Sequence, residues 1–413
     1  MSILKHFLSR GYLNAVLLLS GVIVIALVRC TQRNEQPSVN TIQKLVPAHT
    51  LFFGHKGNGP IGKNDNPGYH ENGWKGVNRA LELLDGSEID IQMSKDSTLW
   101  LFHDHTIPTC QKDTLQFAAL HDSTIIAISQ CRFDNSLLKL NDFGHLMRNR
   151  PRFANKKLSL DLKVLMNPYH YRTTDTLSLV KLVVQSISSA LQGVSYMIEI
   201  PEVIPYSMAK NHFNTSIYKI ISNPSDQDIN RAKNGDYGLS SPFDQGTEAL
   251  SDFRNKQLWT PNNASDMFRT FEKDPAVIQS DHLELCYFFK RIQQGIPLTS
   301  QRLLNQRDYE LEDEFTNLID RVPLPEMSVL LKIDTKQELF RDNQHIVLAA
   351  YNKDDKKIYW ESIEATTQYP YFFIASSFLN KKGAVAYSVY VWNPDRQKSS
   401  PTIGISQYAI VKK

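Results

Sequence analysis

Between Leu51 and Tyr287, short β-type runs alternate with longer amphipathic stretches, and few folds accommodate a chain patterned in that way. The candidate strands are Leu51 to Phe53, Glu88 to Met93, Thr98 to Phe102, Leu158 to Leu162, Tyr196 to Ile200, Tyr218 to Ile221, Gln257 to Trp259 and Ala276 to Ile278. A further run, Tyr237-Gly238-Leu239, competes for the sixth place. Helical stretches such as Gly76 to Leu84 and Leu177 to Leu191 repeat apolar residues at spacings of three and four. Eight strand–helix units of this kind predict an α/β fold, a (β/α)₈ TIM barrel of roughly 240 residues.

The ends of the chain read differently. Tyr12 to Val28 is nearly all apolar, with Lys5 and Arg10 before it and Arg29 and Arg33 after it, which predicts a signal anchor or signal peptide over 1–30. Arg29 stands where a lipoprotein signal needs a small residue before Cys30, so a retained anchor is preferred to lipidation. The basic N-terminal flank puts the rest of the chain, including any catalytic domain, outside the cytoplasm, membrane-anchored or exported. There Cys110 and Cys131 either pair or stay free, and the odd number of cysteines left after Cys30 favours free buried thiols. Residues 31–49 read as a linker, 50–290 as the barrel, 291–325 as a polar connector punctuated by Pro323 and Pro325, and 326–413 as a β-sandwich-like domain. Aromatics of that last part, such as Tyr359, Trp360, Tyr371 and Trp392, suit a sandwich core or a face contacting glycan or the cell envelope. With 46 Lys+Arg against 43 Asp+Glu and no basic block with interleaved aromatics, nucleic acid is excluded as a partner.

The polar residues that carry chemistry fall at the carboxyl ends of the predicted strands, where barrel active sites are built. Glu88 and Asp90, two apart on a strand, share a face, and two buried carboxylates need a cation or a shared proton. A hard divalent ion, Mg²⁺ or Ca²⁺, is the simplest partner. Asp161 completes the metal set, and Lys163, at an alternate position of the same strand, faces a phosphate oxygen. His55 and His103 end the first and third predicted strands and suit a general acid and base, although either alone also suits a structural role. Lys56 sits between Gly54 and Gly57 on a tight turn, while His70, His105 and His121 have no comparable placement.

In order along the chain, Gly54-His55-Lys56-Gly57, Glu71-Asn72-Gly73, Glu88-Ile89-Asp90-Ile91, Phe102-His103-Asp104, Asp161-Leu162-Lys163, Trp259-Thr260-Pro261-Asn262 and Ile278-Gln279-Ser280-Asp281 resemble the motifs of the glycerophosphodiester phosphodiesterase family. The resemblance covers about residues 50 to 287. It implies metal-dependent hydrolysis of a glycerophosphodiester to glycerol phosphate and an alcohol. The substrate, a small-molecule or lipid-derived phosphodiester, supplies its own neighbouring hydroxyl as nucleophile and passes through a cyclic phosphate. Glu88, Asp90 and Asp161 would hold the cation, His55 and His103 would act as acid and base, and Lys56, Lys163, Glu71 and Trp259 would contact the phosphate or substrate. Lys56 stands in place of the family's arginine, Gly73 in place of a threonine and Asp161 in place of a glutamate, so substrate preference is expected to differ. Two other readings remain: a catalytically inactive barrel that binds a lipid head group or glycan, and an enzyme that acts directly on a phospholipid of the bilayer holding its anchor.

Overall fold

The computed structural model describes residues 39–410 apart from 173, 246–252, 300, 301 and 336–339. The apolar N-terminal run and Cys30 lie outside the described residues, among which no helix is long and apolar enough to cross a membrane. Gln43–Lys413 is one compact unit that holds both the barrel and the C-terminal sheets.

Eight parallel strands close into a barrel surrounded by helices. In chain order they are Leu51–Gly54, Gly86–Met93, Lys157–Asp161, Ser195–Pro201, Ile217–Ile220, Gly238–Pro242, Lys256–Trp259 and Val277–Ser280. Closure comes from the first strand, which pairs with the last (Leu51↔Val277 to Gly54↔Ser280) and with the second (Phe53↔Gly86, Gly54↔Ser87). Outward-facing Ile89, Ile91, Leu158, Leu160 and Ile198 pack against helical Val77, Leu81, Leu179, Val183 and Ile187 in one cluster. The helix Thr176–Ala190 presents Leu179, Val180, Val183 and Ile187 at the spacing of one helical face, and Asp175 caps it by accepting from Ser178 N. Each such residue taken fully out of water contributes roughly 2 kcal/mol.

One expected strand is not in the barrel. Leu99–Leu101 pairs antiparallel with Ile91–Met93, because only the five residues Ser94–Thr98 separate the two and a parallel crossover needs a dozen residues or more. Gly238–Pro242 takes the sixth place instead, parallel to both Ile217–Ile220 and Lys256–Trp259. His103 therefore follows a strand that folds back over the barrel mouth rather than one that rises through the wall.

The connection after His103 forms a hairpin (Thr106–Pro108 with Thr114–Gln116) and a helix, Asp122–Arg132. These close over Trp100, Phe102, Ile107, Phe117, Ile125, Ile128 and Leu137 as a small core of their own. Cys110 and Cys131 are not free thiols: they form a disulfide joining hairpin to helix, their Cα atoms 5.8 Å apart. Among the described residues Cys286 is the free cysteine, and it is buried.

Beyond the barrel stand two four-stranded antiparallel sheets. One runs Arg302–Asp308, Thr402–Ala409, Val329–Thr335, Tyr371–Ile374 and the other Phe315–Pro323, Ala384–Trp392, His345–Asn352, Lys357–Glu364. Residues expected as a polar connector thus supply an edge strand to each sheet, positions where one side and the outer edge meet water and polar residues fit. Phe268 and Phe288 of the last barrel helices meet Tyr371 and Phe373 of the first sheet, with ring centroids 4.3 and 5.3 Å apart. Tyr371, Phe372, Phe373 and Tyr387 are buried, so much of the aromatic density serves packing, while Trp360 stays 56% exposed.

Candidate active site

The interior of the barrel is layered. Phe53, Met197, Tyr218 and Val277 form an apolar cluster. Glu199 belongs to a buried polar network, where it accepts from Ser159 Oγ at 2.7 Å, Ser240 Oγ at 2.5 Å and Gln279 Nε2 at 2.6 Å. At the carboxyl ends of the strands sit Glu88, Asp90 and Asp161, which offer oxygens all within 4.8 Å of one another. Strand register produces this directly, since Glu88 pairs with Ser159, Asp90 with Asp161, and Asp161 with Glu199.

The turn after the first strand wraps over Glu88. Lys56 adopts φ 49 and Gly57 φ 81, which aims the Lys56 amide at Glu88 Oε2, 2.7 Å away. Asn72, also left-handed at φ 59, makes a reciprocal pair with Asp90: its Nδ2 donates to Asp90 Oδ2 and its Oδ1 accepts from the Asp90 amide, both at 2.8 Å. Lys163 begins a short 3-10 turn rather than continuing the strand. Its ammonium lies 2.7 Å from Asp161 and 3.8 Å from Asp90.

Burial, reinforced by Asp90, Glu199 and Asp161, pushes Glu88 well above the usual carboxyl range. Burial likewise raises Asp161 to about 7, with Asp90 and Glu199 adding to it against the pull of Lys163. For Lys163 burial works against the charge, but Asp161 and Asp90 outweigh it and hold the ammonium above its ordinary range. Glu88 Oε1 and Asp161 Oδ1 are buried with no hydrogen-bond partner. Buried carboxylate oxygens left in that way call for a cation, and an all-oxygen set suits a hard divalent ion. The residues fit such a metal. Glu199, with its oxygens already engaged, does not join them.

His55 is oriented by Asp281, Nδ1 to Oδ1 2.8 Å, with Nε2 turned toward Glu88 Oε2 at 3.9 Å. Asp281 also accepts from Asn262 Nδ2 at 2.8 Å. Burial would raise the Asp281 carboxyl, yet His55 and Asn262 hold it below its ordinary value, so it stays an anion. His103 lies at the rim, because the Phe102 amide donates to Asp90 O at 3.0 Å. Its Nδ1 meets Asp104 Oδ1 at 2.6 Å, and its carbonyl accepts from Gln92 Nε2 at 3.2 Å.

The four residues expected at the phosphate are placed less simply. Lys56 Nζ pairs with Glu71 at 3.6 Å, and Trp259 Nε1 donates to Ser240 Oγ at 3.2 Å. Glu71 so placed offsets a cation, and Trp259 ties the mouth to the Glu199 network. Asp281, Asn72 and Asn262 had no role assigned from sequence, although each lies in a motif quoted above. The signal was their place at strand ends and turns, and what it lacked was a partner. Glu199 was missed altogether, its only sequence mark being a lone carboxylate between Ile198 and Ile200.

No protein-family model matches the chain, and no curated protein matches it in sequence. Among solved structures it is similar, over the barrel portion, to a glycerophosphodiester phosphodiesterase from Thermotoga maritima (17% identity, TM-score 0.42, 57% of this chain and 96% of that one). A second, from Parabacteroides distasonis, is 16% identical with TM-score 0.43, over 60% of this chain and 98% of its own. A phosphodiesterase from Oleispira antarctica, in complex with its product sn-glycerol-3-phosphate, is 14% identical with TM-score 0.45, over 62% and 98%.

Proposed function

We propose that the chain is a metal-dependent phosphoric diester hydrolase acting on glycerophosphodiesters, with the activity in the barrel at 50–290. The observation that carries this reading is the group of three buried carboxylates with two unpartnered oxygens, to which His55 turns its Nε2 at 3.9 Å from Glu88 Oε2. Glu88, Asp90 and Asp161 would hold Mg²⁺ or Ca²⁺, which when bound supplies positive charge to the phosphoryl oxygens. His55, oriented by an ionised Asp281, and His103, held by Asp104, form the acid–base pair: one takes the proton of the attacking hydroxyl as the other gives a proton to the departing alcohol oxygen. Lys56 and Lys163 add fixed cations beside the developing charge. A barrel that only binds a head group has no use for a histidine held in one orientation by a buried carboxylate.

The Cys110–Cys131 disulfide supports an oxidising compartment, consistent with a barrel exported or held outside the cytoplasm by the N-terminal segment.

The test is hydrolysis of a panel of glycerophosphodiesters by the purified protein with and without added Mg²⁺ or Ca²⁺. Turnover is expected only with the cation, and lost in His55→Ala and in His103→Ala with the fold intact by circular dichroism. Absence of turnover across the panel with several metals defeats the reading. A rate unaffected by chelation removes the metal from it.

A further inference from the structure

Beside His103 a cavity of ≈ 320 Å³ opens from the site, within the range of small-molecule pockets. Its walls are apolar: Pro60, Ile61, Phe102, Pro108, Phe133 and Leu137. Phe102 and Leu137 also belong to the small core of the connection after His103, and Phe102 stacks on Phe117 with ring centroids 4.9 Å apart, so the back wall is rigid. Ile61, 50% exposed, borders the cavity. The Cys110–Cys131 disulfide ties the wall bearing Pro108 to the wall bearing Phe133, each residue two positions from a half-cystine.

The polar rim is already engaged. Asn72 is paired with Asp90, Asp104 with His103, and Glu71 with Lys56, while His70 lies 3.9 Å from Asp134 and against the Phe133 ring. A cationic head group entering here would find aromatic faces but would compete with Lys56 for Glu71 and with His103 for Asp104, whereas hydrocarbon needs only the walls. We infer that this cavity receives the alcohol portion of the diester and selects an uncharged hydrocarbon group there. The inference rests on the diesterase reading and adds to it a substrate class. Specificity of this kind follows from area removed from water, about fourfold for each methylene that the cavity covers.

The experiment compares kcat/KM for the methyl, hexyl and choline esters of glycerol phosphate, with cation present. The hexyl ester, five methylenes longer, is expected to exceed the methyl ester by up to roughly a thousandfold and to exceed the choline ester as well. Phe133→Ala and Leu137→Ala should each reduce the hexyl-to-methyl ratio by about tenfold or more, and so should the double variant Cys110→Ala/Cys131→Ala. A flat profile, a preference for choline, or a ratio unmoved in the variants overturns the inference and leaves the diesterase reading standing. If no ester turns over, the diesterase reading falls and the cavity is judged by binding of hexyl phosphate against methyl phosphate. Tighter binding of hexyl phosphate that is lost in Phe133→Ala upholds a hydrocarbon site, and equal binding refutes it.

Discussion

His55 Nδ1 and Asp281 Oδ1 stand 2.8 Å apart although 226 residues separate them in the chain. The first and last barrel strands pair directly, Gly54 opposite Ser280, and each residue follows the end of its strand by one position. Barrel closure thus builds the contact that fixes which way the imidazole points. Replacing Asp281 with Asn keeps the shape but removes the anion, so kcat should fall by about 10²- to 10⁴-fold with a smaller change in KM. Steady-state kinetics checks this, and an unchanged kcat would reduce Asp281 to a packing role.

Asn72 supports Asp90 from both sides, through its carboxylate and its amide. In Asn72→Ala the Asp90 amide loses its partner and alanine is forced toward a left-handed backbone, a cost of about 1–3 kcal/mol in stability. Loss of the orienting bond should weaken the divalent cation by about 10- to 100-fold. Calorimetric titration with Mg²⁺ or Ca²⁺, alongside urea unfolding, measures both effects.

The cation-free cluster makes a prediction with a definite sign. Asp161, raised from 3.8 to about 7 in the folded state, binds more protons folded than unfolded between those values. Its contribution to stability is therefore full below about pH 4 and lost as pH rises through about 7. Without cation the Asp161 contribution makes the protein less stable at pH 7.5 than at pH 5.5, and Mg²⁺ or Ca²⁺ should raise Tm more at the higher pH. Asp161→Asn should raise the cation-free Tm at pH 7.5 and abolish most of the response to cation. Equal cation effects at both pH values would contradict this.

Asp122 has the opposite sign. Burial alone would raise its carboxyl, but Lys139, Ser94, Thr98 and Trp100 all donate to it and lower it to about 2. A carboxyl depressed in the folded state contributes stability above the unfolded value of 3.8 that is lost as pH falls toward 2, about 2 kcal/mol in all. Asp122→Ala should lose about that much at pH 6 and little at pH 2. Since Asp122 pins the helix Asp122–Arg132 against the strand Leu99–Leu101 through Trp100, the loss should appear first as hydrogen exchange in that region.

Much of the site was legible because its chemistry is written locally. Glu88 and Asp90 share a face by the period of a strand, and the same alternation carries Asp161 to the mouth. The strand before His103 misled because apolar character tells that a run is a strand but not which way it runs. The four-residue turn before Thr98 held that information. Arg302–Asp308 and Phe315–Pro323 were hidden for the opposite reason, since edge strands keep polar residues and look like connectors.

By itself the sequence determined the alternation that makes a barrel, the residue types at the strand ends and the carboxylates that call for a cation, because each depends on spacings of a few residues. The tertiary structure alone decided the rest. It chose which run became the sixth strand, joined Asp281 to His55, paired Cys110 with Cys131 and enclosed an apolar cavity beside His103. Those outcomes depend on contacts between distant segments, and their closing entropy is repaid only once the whole barrel is assembled.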